Sequence, residues 1–304
     1  MQVKTFKATA PVFARLNQFA VIVQTGTKKE ISAALTTLQA DALFAGKKGW
    51  QRAFAKLAVS FGGKPQFPVT HAIESENPWD TWDAQFSIFA MDGNVKLPFV
   101  AFSTLPGVTC PGAGDCLDWC YSFRAWRYPS AFARQCQNCW LMRFDRGAIF
   151  SALSAIEGDF TMRLYVDGDF SSVGDVIFWM GVLLCLPNIK AYGYSKSFDE
   201  LLAYEGDFRD WPTNYMLNIS SGHNADEATV ERVMALPITR GTFSAVKVDH
   251  KPEHGSARTN AAIRAASLPA KVFPCPGKCG SCTGKGHACG LPQMKGVSIV
   301  IAIH

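Results

Sequence analysis

Arg163-Leu164-Tyr165-Val166-Asp167-Gly168-Asp169-Phe170, then the apolar run Val173–Leu186, then Ile189-Lys190-Ala191-Tyr192-Gly193-Tyr194-Ser195-Lys196-Ser197: the fold turns on this stretch. It opens on a short aliphatic and aromatic run that stops at Asp-Gly-Asp. An apolar segment of helical length follows, then a second strand-like run that stops at Ser-Lys-Ser. The pattern continues outward on both sides. Strands are expected at Arg163–Val166, Ile189–Tyr194, Tyr215–Ser220, Thr242–Val248 and Val297–Ile303. Helices are expected at Ala148–Ile156, Val173–Leu186, Phe198–Tyr204, Glu227–Ala235 and Ala257–Ala266. Such alternation gives an α/β fold, a parallel sheet with crossover helices. A complete or partial barrel is the first choice, because polar residues recur at strand C-termini: Asp167-Gly168-Asp169, Ser195-Lys196-Ser197, Ser220-Ser221. That edge holds the active site in barrels and open sheets alike.

Further upstream, Lys29–Phe61 carries Ile31, Ala34, Leu35, Leu38, Ala42 and Leu43 at helical spacing, then Phe54, Leu57 and Ala58. Thr27 and Glu30 have the form of a capping box. Gly62-Gly63-Lys64-Pro65 breaks the pattern. Residues 1–70 are therefore expected as an N-terminal extension of one or two helices, suited to packing or partner binding, and residues 71–304 as a cysteine-rich α/β domain. Within the latter, Gln85–Leu105 reads as a β-hairpin, with Phe86–Met91 and Val95–Ser103 joined by Asp92-Gly93-Asn94.

A chain of 304 residues, 48% hydrophobic, can bury a substantial core. The net charge of +5 permits a nucleic-acid or other anionic partner without arguing for one, since no dense Lys/Arg run accompanies it. Met1–Pro11 has no apolar run after its basic residues, and Val176–Leu186 is about half the length of a bilayer span. A cytoplasmic protein with no membrane partner is expected. In a reducing compartment ten cysteines are more naturally metal ligands than disulfides.

The cysteines fall in groups. Cys110, Cys116 and Cys120 lie in a Pro- and Gly-containing loop that can wrap an ion or cluster. Cys275, Cys279 and Cys282 form a C-x3-C-x2-C run, with Cys289 six residues beyond. Thiolates suit zinc and iron–sulfur centres, so a zinc knot of four cysteines, with His287 able to replace one, stands beside a 4Fe-4S cluster. The C-x3-C-x2-C spacing is known from enzymes that bind S-adenosylmethionine at a cluster held by three cysteines. Here the fourth cysteine closes that site. The first group is the better candidate for an open iron, and Trp119 before Cys120 matches the aromatic usual there. Cys136 or Cys139 could complete it, or both could be core residues of a helix. Cys185 belongs to the core.

Several motifs in order resemble the phage gene-product-88 family of phages and plasmids: Cys110-Pro-Gly-Ala, Cys116-x3-Cys120-Tyr121 and Arg134-x3-Asn138. The strand ending Gly168-Asp169-Phe170, the strand Tyr192-Gly-Tyr194-Ser195-Lys196-Ser197 and the closing cysteines continue the likeness over about residues 95–304. Cys136 and Cys139 around the Asn, and Asp167 where Ser is more usual, are departures. The resemblance implies a cysteine-rich α/β protein of a mobile element and leaves its activity open. A more distant likeness, to phage proteins related to radical S-adenosylmethionine enzymes, rests on Cys116-x3-Cys120-Tyr121.

Among polar residues, Asp167 and Asp169 flank Gly168, and alternation would aim them alike, as an acid/base pair or around a cofactor amine or ribose. Solvated carboxylates of an Asp-Gly turn would look the same. Lys196 and Arg163 can serve an anionic substrate. Ser220 and His223 follow a strand, where a cofactor would sit. Tyr192-x3-Lys196 has the tyrosine–lysine spacing of rolling-circle nickases, but their His-apolar-His triplet is missing. His250 and His254 have the character of solvated loop residues, and His304 closes the sequence. Two functions follow as expectations: an iron–sulfur protein, a radical S-adenosylmethionine-like or redox enzyme, and a zinc-stabilised nucleic-acid-binding protein of mobile-element replication.

Overall fold

The computed structural model describes residues 10–62, 88–90, 100–208, 210–277, 282–283 and 287–303. Three helices come first: α1 (Pro11–Thr25), α2 (Lys28–Ala40) and α3 (Lys48–Phe61). Thr27 caps α2 as expected: its hydroxyl accepts from the Glu30 amide, and its own amide donates to the Glu30 carboxylate at 2.7 Å. Apolar residues at helical spacing bury one face of each helix, Trp50, Phe54, Leu57 and Phe61 on α3. α3 packs on α4 (Pro129–Phe144), where Trp50 meets Phe132 at 5.8 Å between ring centroids. One core cluster runs without a break from Leu16 in α1 to Ile238 beside the sheet, so the helical extension shares the core of the α/β part.

Among the described residues seven strands form a single sheet in the order β1-β2-β3-β4-β5-β7-β6, every neighbouring pair parallel. They are β1 (Val100–Ala101), β2 (Phe160–Leu164), β3 (Ile189–Ser195), β4 (Tyr215–Ser220), β5 (Thr239–Lys247), β6 (Val272–Pro274) and β7 (Ser298–Ile303). The crossovers carry α5 (Arg146–Ser154), α6 (Val173–Cys185), α7 (Phe198–Asp207), α8 (Glu227–Met234) and α9 (Ala257–Ala266). The expected alternation is present. Of the expected hairpin, Ala90 and Ala101 form an antiparallel bridge, while Asp92-Gly93-Asn94 lies outside the described residues. Ala101 also pairs with β2, so this second hairpin strand doubles as the first strand of the parallel sheet.

Side chains alternate between the faces of the sheet. Met162, Leu164, Ala191, Tyr215, Leu217 and Ile219 pack with α6 and α7 in the main core, and Val300 and Ala302 pack with Ile263 of α9 on the same face. Each large apolar side chain buried there contributes roughly 1.5–3 kcal/mol relative to exposure. Tyr192, Tyr194, Met216, Phe243 and Ile299 point the other way. Right-handed crossovers that always step in one direction leave their helices on one face, as in a barrel wall. The step from β6 to β7 runs backwards. The same handedness sends the described residues of the β6–β7 connection across the opposite face, where Ala288 and Cys289 pack on Tyr192 and Ile299.

Candidate functional site

The first cysteine loop lies over the C-terminal ends of β2, β3 and β4. Ala113 bridges His223 in antiparallel fashion, the amides of Gly114 and Cys116 donate to the Gly222 carbonyl at 2.9 and 3.3 Å, and Asn224 donates back to Gly112 at 3.1 Å. Only glycine allows this docking at position 112, because a Cβ there would lie 1.6 Å from the Lys196 carbonyl oxygen. Gly168 has φ +80°, and its would-be Cβ meets the Thr104 hydroxyl at 2.1 Å. Its close approach is thus to the protein's own loop.

This loop carries three thiols, Cys116 buried and Cys110 and Cys120 half-buried. Burial raises the Cys110 thiol, with the Asp169 charge second and Cys120 also raising it. Burial likewise raises Cys116, against the Lys196 ammonium, while Cys120 adds to the rise. Lys196 donates from Nζ to the Ser220 hydroxyl at 2.9 Å. Asp169 is 4% exposed and accepts from the Ser195 hydroxyl and the Lys196 amide, both at 2.7 Å, and from the Phe170 amide at 2.8 Å. Burial raises its carboxyl and these donors oppose that rise. So furnished, it anchors the end of β3.

Asp167 does not point with Asp169. Tyr165 (φ +54°) and Gly168 break the strand geometry, so the expected alternation fails. Asp167 instead accepts from Gln135 of α4 at 3.0 Å and from Ser122, with burial raising its carboxyl. His223 lies against Phe198 at 4.9 Å between centroids, its imidazole lowered first by burial.

Cys275, Cys282 and Cys289 of the second group lie on the sheet face that carries Tyr192 and Ile299. Burial pushes the Cys289 thiol up to about 12, with the charges of Cys275 and Cys282 adding to the rise. The Tyr194 hydroxyl donates to Cys289 and opposes it. The Ala288 amide donates to Cys282 Sγ at 3.1 Å. The segment is tacked down by Asn218, which donates to the Cys289 carbonyl at 3.0 Å, and by fully buried Arg240. Arg240 donates to Asn218 Oδ1 at 2.6 Å and to the carbonyls of Met294 and Val297 at 3.0 and 2.5 Å. Cys279 and His304 lie outside the described residues. Tyr192 belongs with this group and not with Lys196: its ring packs on His287 at 4.2 Å. A groove of about 660 Å³ at the β6 edge reaches Cys282 between Arg264, Lys271 and Phe273.

Arg163 stands between the two groups. It donates to the Tyr121 hydroxyl at 3.3 Å, next to Cys120, and its guanidinium lies 4.8 Å over the Tyr194 ring. Cys139 is elsewhere: fully buried in α4, it donates to Gln24 Oε1 at 2.7 Å, with Cys136 beside it in the core. Cys185 is exposed at the end of α6, contrary to its expected place in the core. The exposed face of that helix was not legible in a run apolar on all sides. The nine described cysteines are free thiols, and among the described residues no group of three or more His, Cys, Asp or Glu is arranged to hold a metal ion. Thiols are the donors a soft cation takes, and of the three in the first group Cys116 is buried and Cys110 and Cys120 are half-buried. Tyr194, Asn218 and Arg240 were not foreseen; the alternation Tyr192/Tyr194 was the one signal for the first of them.

The family model described as Gene product 88 matches residues 72–291. No curated protein and no solved structure matches the chain.

Proposed function

Because the chain belongs to the Gene product 88 family, we propose that it is a cytoplasmic iron–sulfur protein of a phage or plasmid, a radical S-adenosylmethionine-like or redox enzyme. What supports this is the docking of the loop that carries Cys110, Cys116 and Cys120 over the C-terminal ends of β2, β3 and β4, beside Lys196. Those three residues would hold a 4Fe-4S cluster with one iron free for S-adenosylmethionine, and the bound pair would supply reductive cleavage of the cofactor. Lys196, Ser220 and His223 line the same edge, where they offer a cation, a hydroxyl and an imidazole to the cofactor's polar groups. Asp169 keeps β3 and Lys196 in place. Asp167 and Gln135 hold the loop against α4, and Tyr121 with Arg163 closes the side toward the second group.

Cys275, Cys282 and Cys289 would hold a second centre, and Cys279 lies in the same stretch of sequence. Its four thiols in one short segment favour the alternative, a zinc-stabilised nucleic-acid-binding protein of mobile-element replication. Anaerobic purification separates the two. A brown protein with iron and acid-labile sulfide is expected, with Cys116→Ala losing the first centre and Cys282→Ala the second. A colourless protein with stoichiometric zinc, unchanged in Cys116→Ala, overturns the iron–sulfur assignment.

A further inference from the structure

Directly after Cys120 the chain forms a 3-10 helix, Tyr121–Arg127. Three residues per turn eclipse side chains at i and i+3. Tyr121, Arg124 and Arg127 therefore line up along one exposed ridge, while Ser122, Phe123 and Trp126 turn inward and are buried. Aromatic rings stand at both ends: Trp119 is 42% exposed, Tyr121 55% and Tyr128 66%. No carboxylate occurs from Cys120 to Tyr128; Asp115 and Asp118 lie on the preceding turn.

The ridge is mounted on a rigid base. Trp126 is fully buried, donates to Gln135 Oε1 at 2.8 Å and packs edge-on against Phe123 and Phe132, both at 5.2 Å. The Tyr121 hydroxyl donates to the Val166 carbonyl at 3.0 Å, which fixes the tip of a side chain that is otherwise largely exposed. Large rings held open to water beside guanidinium groups need a partner that offers both flat π-faces and negative charge.

We infer that this ridge binds single-stranded nucleic acid, its bases on Trp119, Tyr121 and Tyr128 and its phosphates on Arg124 and Arg127. A duplex hides its base faces in the stack. An acidic peptide matches the cations but gives the rings nothing flat to meet. Since Tyr121 adjoins Cys120, a strand on the ridge leads to the mouth of the first cysteine group. Binding itself does not depend on which metal, if any, that group holds.

Fluorescence anisotropy of a labelled oligothymidylate tests the assignment, beside oligouridylate, a duplex of equal length and a polyglutamate peptide. Either single strand is expected to bind about tenfold or more tighter than the duplex or the peptide. Tyr128→Ala should weaken it about fivefold or more with an unchanged salt slope. Arg124→Gln with Arg127→Gln should weaken it and reduce the slope of log K against log salt by about 1.4, for two phosphates neutralised on a single strand. Circular dichroism checks that these surface variants remain folded. Equal binding of duplex or polyglutamate, or variants that leave both affinity and slope unchanged, overturns the inference. The metal analysis above is independent of either result.

Discussion

Glu200 sits in the first turn of α7, where burial, with the charges of Asp169, Asp199 and Asp175 behind it, pushes its carboxyl up to about 7. A folded value above the ordinary 4.5 means that the native protein holds this proton more tightly than the unfolded chain. The contribution is present in full below the unfolded value and is lost as pH rises through the folded one. Stability should fall on going from acid toward pH ~8, and Glu200→Gln should remove about 1–2 kcal/mol of that fall once solvent screening is allowed for. Urea titrations of both proteins across that window check it; parallel curves refute it. Cys139 makes a second test at this scale. Its partner is Gln24, in the core, so Cys139→Ala should cost about 1–3 kcal/mol of stability and leave metal content untouched, whereas Cys116→Ala should do the reverse. The sequence displayed ten thiols equally well. Ligand type is legible in residue identity, but burial is a property of the packed chain, so nothing local separated Cys139 from Cys116.

Gly112 carries the docking of a whole element. Gly112→Ala drives a Cβ into the Lys196 carbonyl, which must push the cysteine loop off the ends of β3 and β4. Far-ultraviolet circular dichroism should hardly change, while iron incorporation at the first group should drop several-fold; full incorporation would show that the loop tolerates the shift. By contrast, Thr27→Ala loses only a capping hydroxyl and should cost about 1 kcal/mol by denaturant titration. Elements with a clear period were legible: α2, α3 and the strands β2 to β5 stand close to where periodicity puts them. Those without one were not. β6 spans three residues, too short for alternation to register, whereas β1, of two, falls inside the expected strand Val95–Ser103. α4 buries Phe132, Ala133, Gln135 through Met142 on nearly every side, so no polar stripe marks it as a helix. Asp167 and Asp169 were rightly placed at a strand end, but their divergence depends on the positive φ of Tyr165, which no residue pattern announces.

Across the molecule the N-terminal helices and the sheet share one core. Phe54 is fully buried against Phe44 and Trp50, with ring centroids 5.0 and 5.5 Å away. Phe54→Ala should therefore cost about 3–5 kcal/mol and lower the unfolding midpoint of the whole protein. Tryptophan fluorescence and circular dichroism should report coincident transitions; an early helical phase in the variant would mean an extension that melts alone. The global layout was legible in outline, since alternation and strand-end polarity together indicate a parallel sheet. The inversion of β6 and β7 was not, because strand order depends on long-range pairing.

That inversion has a consequence in time. Among the described residues β6 pairs with β7 alone, and β7 is synthesised after Cys275, Cys282 and Cys289. At elongation rates of about 5–20 residues per second, those thiols wait on the order of seconds without the strand that seats them. By that time the earlier cysteine loop already has β2, β3 and β4 to settle on. The later cysteine segment is thus among the last parts of the described chain to gain its seat.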